Sequence, residues 1–234
     1  MKKIRFIAAA LSAVLLAAPV NVSAAITSGS PAITSGSPDK GYTAPAVMGG
    51  WTYSGSATLG KNPEAKAAFL KARKTADKTI EPVAYLGSQV VAGMNYCYLC
   101  RITPAADARP EIALVYVYAD LKGNASITGY QTIIGEVRPG SFEANEGKFG
   151  MSKNAAVKKA YEDAADTDDY APMAYLGSQV VSGSNYMVLA RGKGDKTGLY
   201  LVTIYADLKG NAEIHSIEPL VLGDMDRDTD APEA

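Results

Sequence analysis

Few side chains in this sequence could do chemistry, and their spacing limits what they could do. His215 is the sole histidine. A Ser-His-Asp or Cys-His nucleophile would have to be built on it, and no serine or cysteine motif stands near it, so a structural or exposed role is expected. Cys97 and Cys100 lie in CYLC. In a regular strand residues three apart point to opposite faces, so two packed thiols are expected; the alternative is a disulfide made by distorting the strand, in an oxidising compartment. Glu162, Asp163, Asp166, Asp168 and Asp169 cluster at an expected helix end and loop, where a solvated cluster fits better than an acid/base pair. Asp224, Asp226, Asp228 and Asp230 alternate as in a calcium loop, but Thr229 stands where such a loop needs glycine, which leaves an acidic tail. With no glycine-rich phosphate loop and no HExxH, the expectation is a protein that is not an enzyme and has no metal and no cofactor.

The informative stretch is instead apolar. YLGSQVVAGMNY runs from Tyr85 to Tyr96, and YLGSQVVSGSNY from Tyr175 to Tyr186. Each is two strand-like runs meeting at a glycine, Gly93 or Gly183, which could take a positive φ. The turn is entered through Val90 and Val91, or Val180 and Val181, where polar turn formers are usual.

These hairpins belong to a larger repeat, since YADLKGNA also occurs twice, from Tyr118 and from Tyr205. Each copy opens with a helix pattern. Asn62, Pro63 and Glu64 start the first, with Ala65, Ala68, Phe69, Ala72 and Ala76 as its stripe; Ser152 is the expected cap of the second, with Ala156, Val157, Ala160, Tyr161 and Ala164. Pro82 and Pro172 are expected to end the helical pattern before the strands begin. Four strands follow in each copy. Val115 and Val117, with Val202 and Ile204, mark the face expected to meet the helix; the alternative face carries Leu114, Tyr116 and Tyr118. The fold class expected is α+β: two tandem domains, each an antiparallel sheet of about four strands wrapped around one α-helix.

The flanks divide the rest. Residues 1–24 read as a secretory signal peptide, with Lys2, Lys3 and Arg5 before an apolar run and Val22, Ser23 and Ala24 at the cleavage site. Residues 25–46 form a Ser/Gly/Pro-rich linker containing the tandem heptad AITSGSPAITSGSP. The domains are then expected at 47–137 and 138–223, with an acidic tail at 224–234. A secreted or periplasmic protein without a membrane span after processing is expected. Lys and Arg (23) nearly balance Asp and Glu (24), which leaves no basic footprint for nucleic acid.

One helix followed by a strand entering QVVAG and an Asn-Tyr pair resembles the cystatin family of cysteine-protease inhibitors, whose first inhibitory hairpin carries Gln-x-Val-x-Gly. Gln89, Val90, Val91, Ala92 and Gly93 fit it, as do Gln179, Val180, Val181, Ser182 and Gly183. Gly50 and Gly140 each lie 39 residues before the respective glutamine, where the family places its N-terminal binding glycine. VYVYADLKGNASIT resembles the family's strand and second hairpin, but Leu121 and Lys122, or Leu208 and Lys209, replace the usual Pro-Trp. The resemblance implies two cystatin-like domains whose apolar hairpins fill the groove of a papain-like cysteine protease without covalent chemistry. A non-inhibitory binding or adhesion module at the cell surface is the alternative. A domain-swapped dimer is an assembly open to such domains.

Overall fold

The computed structural model describes residues 49–106 and 108–223. The expected signal segment, linker and acidic tail lie outside the described residues. Each repeat is a five-stranded antiparallel meander. The first contains β1 (Trp51–Tyr53), α1 (Pro63–Ala72), β2 (Thr79–Val91), β3 (Gly93–Thr103), β4 (Glu111–Ala119) and β5 (Ala125–Ile134). The second contains β6 (Glu143–Ala144), α2 (Ala155–Asp163), β7 (Tyr170–Val181), β8 (Gly183–Gly192), β9 (Leu199–Asp207) and β10 (Ala212–Leu220).

The helix starts follow from local chemistry with one correction. Asn62 precedes Pro63, and its side-chain amide donates backwards to the carbonyls of Ser56 at 3.0 Å and Thr58 at 2.9 Å rather than capping the helix. In the second repeat the same boundary position and the same backward bonds belong to Asn154, which donates to the carbonyls of Lys148 and Gly150. Ser152, expected as the cap, sits instead in the 3-10 turn Met151–Lys153. The prolines also act differently from expectation. Pro82 and Pro172 lie inside β2 and β7, at irregularities in the pairing with β3 and β8. β1 pairs only with Gly87 to Gln89, so β2 is an edge strand at Pro82, where a missing N–H costs no ladder bond.

The expected fold class is overturned. The described chain is mostly β, with five strands per sheet where about four were expected, and the helices are short, at 10 and 9 residues. Among the described residues no sheet wraps a long helix, so two cystatin-like domains do not describe this architecture. The reason lies in the two faces of each sheet. One face meets its helix as expected: Ala113, Val115 and Val117 pack with Ala65, Ala68 and Phe69, and Val202 and Ile204 pack with Val157, Ala160 and Tyr161. The other face is equally apolar and is buried against the sheet of the other repeat. Leu114, Tyr116, Cys97 and Leu99 share one cluster with Leu176, Leu189, Leu199 and Leu201. The order of layers is α1, first sheet, second sheet, α2. Strands covered on both faces read as continuous apolar runs, and IALVYVYA in β4 is one.

Small residues and polar links seal this central contact. A Cβ on Gly87 would stand 3.0 Å from Leu222 Cδ1, and one on Gly177 would stand 2.7 Å from Ile134 Cδ1. The glycine in each YLG therefore admits two neighbours, the edge strand of its own repeat, whose Thr52 or Glu143 carbonyl oxygen lies closest, and the opposite repeat. Arg191 donates to the Ser54 carbonyl at 2.7 Å, the Gly223 amide donates to the Tyr116 hydroxyl at 2.9 Å, and Arg109 pairs with Glu143 at 2.9 Å. All described residues fall within one compact unit.

Candidate functional site

At one end of each sheet three pieces of chain meet: the segment before the first strand, the first long hairpin and the second long hairpin. In the first repeat the β2–β3 hairpin closes over Ala92 alone, because Val91 is already paired with Gly93. So tight a reversal needs Gly93 at φ 133°, and a side chain there would strike the Ala119 carbonyl and the Tyr118 ring. Tyr118 reaches back from β4 and donates its hydroxyl hydrogen to the Ala92 carbonyl at 2.5 Å. Gln89 acts as a clamp: its carbonyl oxygen accepts from the Asn95 side chain at 2.7 Å, and its amide donates to the Gly49 carbonyl at 2.9 Å. Gln89 thus ties both hairpin strands to the segment entering β1.

The β4–β5 hairpin beside it is organised by one carboxylate. Asp120 Oδ1 accepts from the backbone amides of Lys122 at 2.9 Å and Asn124 at 2.7 Å, and Oδ2 accepts from the Asn124 side chain at 2.8 Å. Donation from Asn124 holds the Asp120 carboxyl below the usual carboxylate range. The turn so fixed lifts Leu121 into solvent, 87% exposed. Lys122 is exposed next to it.

Behind these turns is a groove of about 720 Å³, lined by Ala67, Leu70 and Lys71 of α1 and Lys74 of the 3-10 turn Arg73–Thr75 that follows it, together with Val90, Val91, Met94 and Leu121 of the hairpins. Lys71 donates to the Gly123 carbonyl at 2.5 Å and joins helix to turn. Leu70, Val90 and Val91 are all substantially exposed.

The second repeat rebuilds the same frame. Val181 pairs with Gly183 (φ 142°) around Ser182, and Tyr205 donates to the Ser182 carbonyl at 2.8 Å. Gln179 accepts from Asn185 at 2.6 Å and donates to the Gly140 carbonyl at 2.5 Å. Asp207 takes the role of Asp120, with Lys209 and Asn211 as donors, and its carboxyl is likewise held low by Asn211. Leu208 is displayed at 88% exposure.

The structure therefore brings together the tip residues named from sequence and separates their roles. Val90, Val91, Leu121 and Lys122, with Val180 and Val181, face outward; Gln89, Gln179, Gly93 and Gly183 shape the frame; Ala92 and Ser182 form the apices. Gly140, at φ 81°, receives the glutamine bond, but in the first repeat the residue doing so is Gly49, at φ 87°, and not Gly50. The two segments differ by one residue in length, which equal spacing to the glutamines concealed. Met94, Leu70 and the two tyrosines were missed as site residues, although the shared Tyr at 118 and 205 was a signal. Trp51 is not displayed; it packs edge-on against Tyr116 at 5.5 Å beside the central cluster.

The other chemical candidates disperse. His215 is exposed at an irregularity in β10. Glu162 and Asp163 pair with Lys158 and Lys159, and Asp169 pairs with Lys196 at 2.8 Å. Cys97 and Cys100 are free, buried on opposite faces of β3, and burial pushes both thiols up from their ordinary pKa. No group of metal-ligating side chains occurs among the described residues. No protein-family model matches this chain, and no curated protein matches it.

Proposed function

We propose that this protein is a reversible, non-covalent inhibitor of papain-like cysteine proteases that inserts a hairpin tip into the active-site groove. The observation that carries this reading is the display of apolar side chains on turns held rigid from behind. Val90, Val91 and Leu121 stand in solvent although folding would favour their burial, and each turn beneath them is fixed by specific hydrogen bonds. Burying these three side chains in a partner would contribute about 3–5 kcal/mol, against about 8 kcal/mol for micromolar binding. Backbone contacts from the adjacent turns would supply the rest, and rigid tips lose little entropy on docking.

The shape also suits inhibition over cleavage. A substrate lies extended in such a groove, whereas here the chain reverses at Ala92 with its carbonyl already engaged by Tyr118. The reacting sulfur would meet a turned-back apex and no extended peptide. The motif resemblance of QVVAG to the inhibitory hairpin of cystatins supports the same reading. Export directed by residues 1–24 would bring the protein to extracellular or periplasmic proteases.

Titration of papain against a fluorogenic peptide substrate tests this. The chain from Ala25 onward is expected to inhibit at or below micromolar concentration. The double variant Val90→Asp, Val180→Asp should lose at least 100-fold in inhibition while its thermal unfolding stays within the scatter of surface substitutions. Valine is the residue to change, because a side chain at Gly93 would damage the turn itself. Absence of inhibition at micromolar protein overturns the proposal, and adherence to cell surfaces without inhibition would favour a binding module.

A further inference from the structure

We infer that the two tips face opposite ends of the molecule, so that one chain bridges two protease molecules and cannot clamp a single one. This rests on the inhibitor reading and adds stoichiometry and geometry to it.

The contacts between repeats fix the orientation. In the first sheet the tip end is marked by Trp51, paired with Gln89, and the far end by Ile134 and the loop carrying Arg109. In the second sheet the tip end is marked by Glu143, paired with Ser178, and the far end by Arg191, Gly198 and the chain after Leu220. The hydrogen bonds, ion pair and close approaches that link the repeats join a tip half to a far end. Trp51 and Gly87 meet Gly223 and Leu222; Ser54 accepts from Arg191; Tyr53 lies beside Gly198. Reciprocally, Gly177 meets Ile134, and Glu143 pairs with Arg109. Both sets run the same way, as in an antiparallel pair related by an approximate two-fold axis.

The consequence is a fixed divalent geometry. β2 is 13 residues long, so the sheets extend roughly 40 Å and the tips lie about that far apart, pointing away from each other. Two sites on one protease surface cannot both be reached, and no flexible joint exists to swing one tip round, because the repeats share a buried cluster. Avidity on a single target is excluded, whereas two separate targets do not obstruct each other.

The test is the mass of the complex. The chain from Ala25 is mixed with excess papain carrying a small reversible methylthio cap on its active-site sulfur, and light scattering after size exclusion gives the composition. Two papain molecules per chain are expected, falling to one in Val90→Asp and in Val180→Asp, and to none in the double variant. On a surface bearing immobilised papain, wild-type chain should also capture a second, fluorescent papain, and neither single variant should do so. Saturation at one papain per wild-type chain, with inhibition intact, overturns the bridge and leaves the inhibitor standing. Absence of any papain binding overturns both.

Discussion

The two hairpin tips share a backbone and differ in what stands behind it. In the first, the cross-strand neighbour of Val90 is Met94, and α1 turns Ala67 and Leu70 toward the same groove. In the second, the neighbour of Val180 is Ser184, too short to cover it. The positions of α2 that correspond to Ala67, Leu70 and Lys71 hold Lys159, Glu162 and Asp163, engaged in ion pairs along the helix. Val180 is accordingly 84% exposed and Val90 only 43%. One frame of glutamine clamp, tyrosine strut and Asx turn thus carries two surfaces, one a backed apolar groove and the other an isolated apolar point. Geometry is set by the repeated polar residues, and selectivity is free to vary in the side chains laid over them.

The largest effect should come from the part the tips have in common. Leu114→Ala lies in the first repeat but empties space in the cluster shared with Leu199 and Leu201. It should cost about 2–5 kcal/mol and lower a single cooperative unfolding transition, with signals from Tyr118 and Tyr205 moving together. Two separate transitions would show that the repeats do not depend on each other.

Exchanging the covering residues should then exchange the tips' affinities. Met94→Ser combined with Ser184→Met is expected to weaken papain binding at the first tip about five-fold and strengthen the second by a similar factor, equivalent to about 1 kcal/mol of apolar contact at each. Isothermal titration of the two single-tip variants, with and without the exchange, reads this directly. Unchanged affinities would mean that Met94 and Ser184 do not separate the tips.

The smallest difference concerns acid. Both turn carboxyls have depressed pKa values in the folded state, so the order they confer is present above the unfolded carboxylate pKa and is lost as pH falls through the folded one. Lys71 adds its positive charge to the effect of Asn124 at Asp120, while Asp207 has only its turn donors. Carboxyl-carbon NMR of Lys71→Met should therefore show the Asp120 titration moving to higher pH while that of Asp207 stays in place.

How far the sequence could be read depended on whether a feature was local. Val115 and Val117 turned to α1 as their alternation implied, and the opposed faces of Cys97 and Cys100 followed from strand geometry alone. The hairpin tips were legible because tight turns declare themselves in adjacent residues. What escaped was non-local. Leu114 and Tyr116 looked like a rival choice for the helix-facing side, when both sides are buried and the second is covered by residues about a hundred positions away. Pro82 looked like a helix stop, since nothing in its neighbours tells that β1 is too short to need its N–H. Gly50 stands at the same spacing from Gln89 as Gly140 from Gln179, yet Gly49 accepts the Gln89 bond, because the chain between glycine and glutamine is one residue longer in the first repeat.

The shared central cluster has a consequence for any single repeat. Cut between Ile134 and Glu143, each half would present an unbroken leucine-rich sheet face to water, and the surface most nearly complementary to that face is another copy of it. A severed half should therefore behave as an obligate homodimer, folded when concentrated and unfolding on dilution. Joining two halves in one chain replaces that concentration dependence with a permanent partner, and leaves each copy free to alter its outer surface without having to remain symmetric.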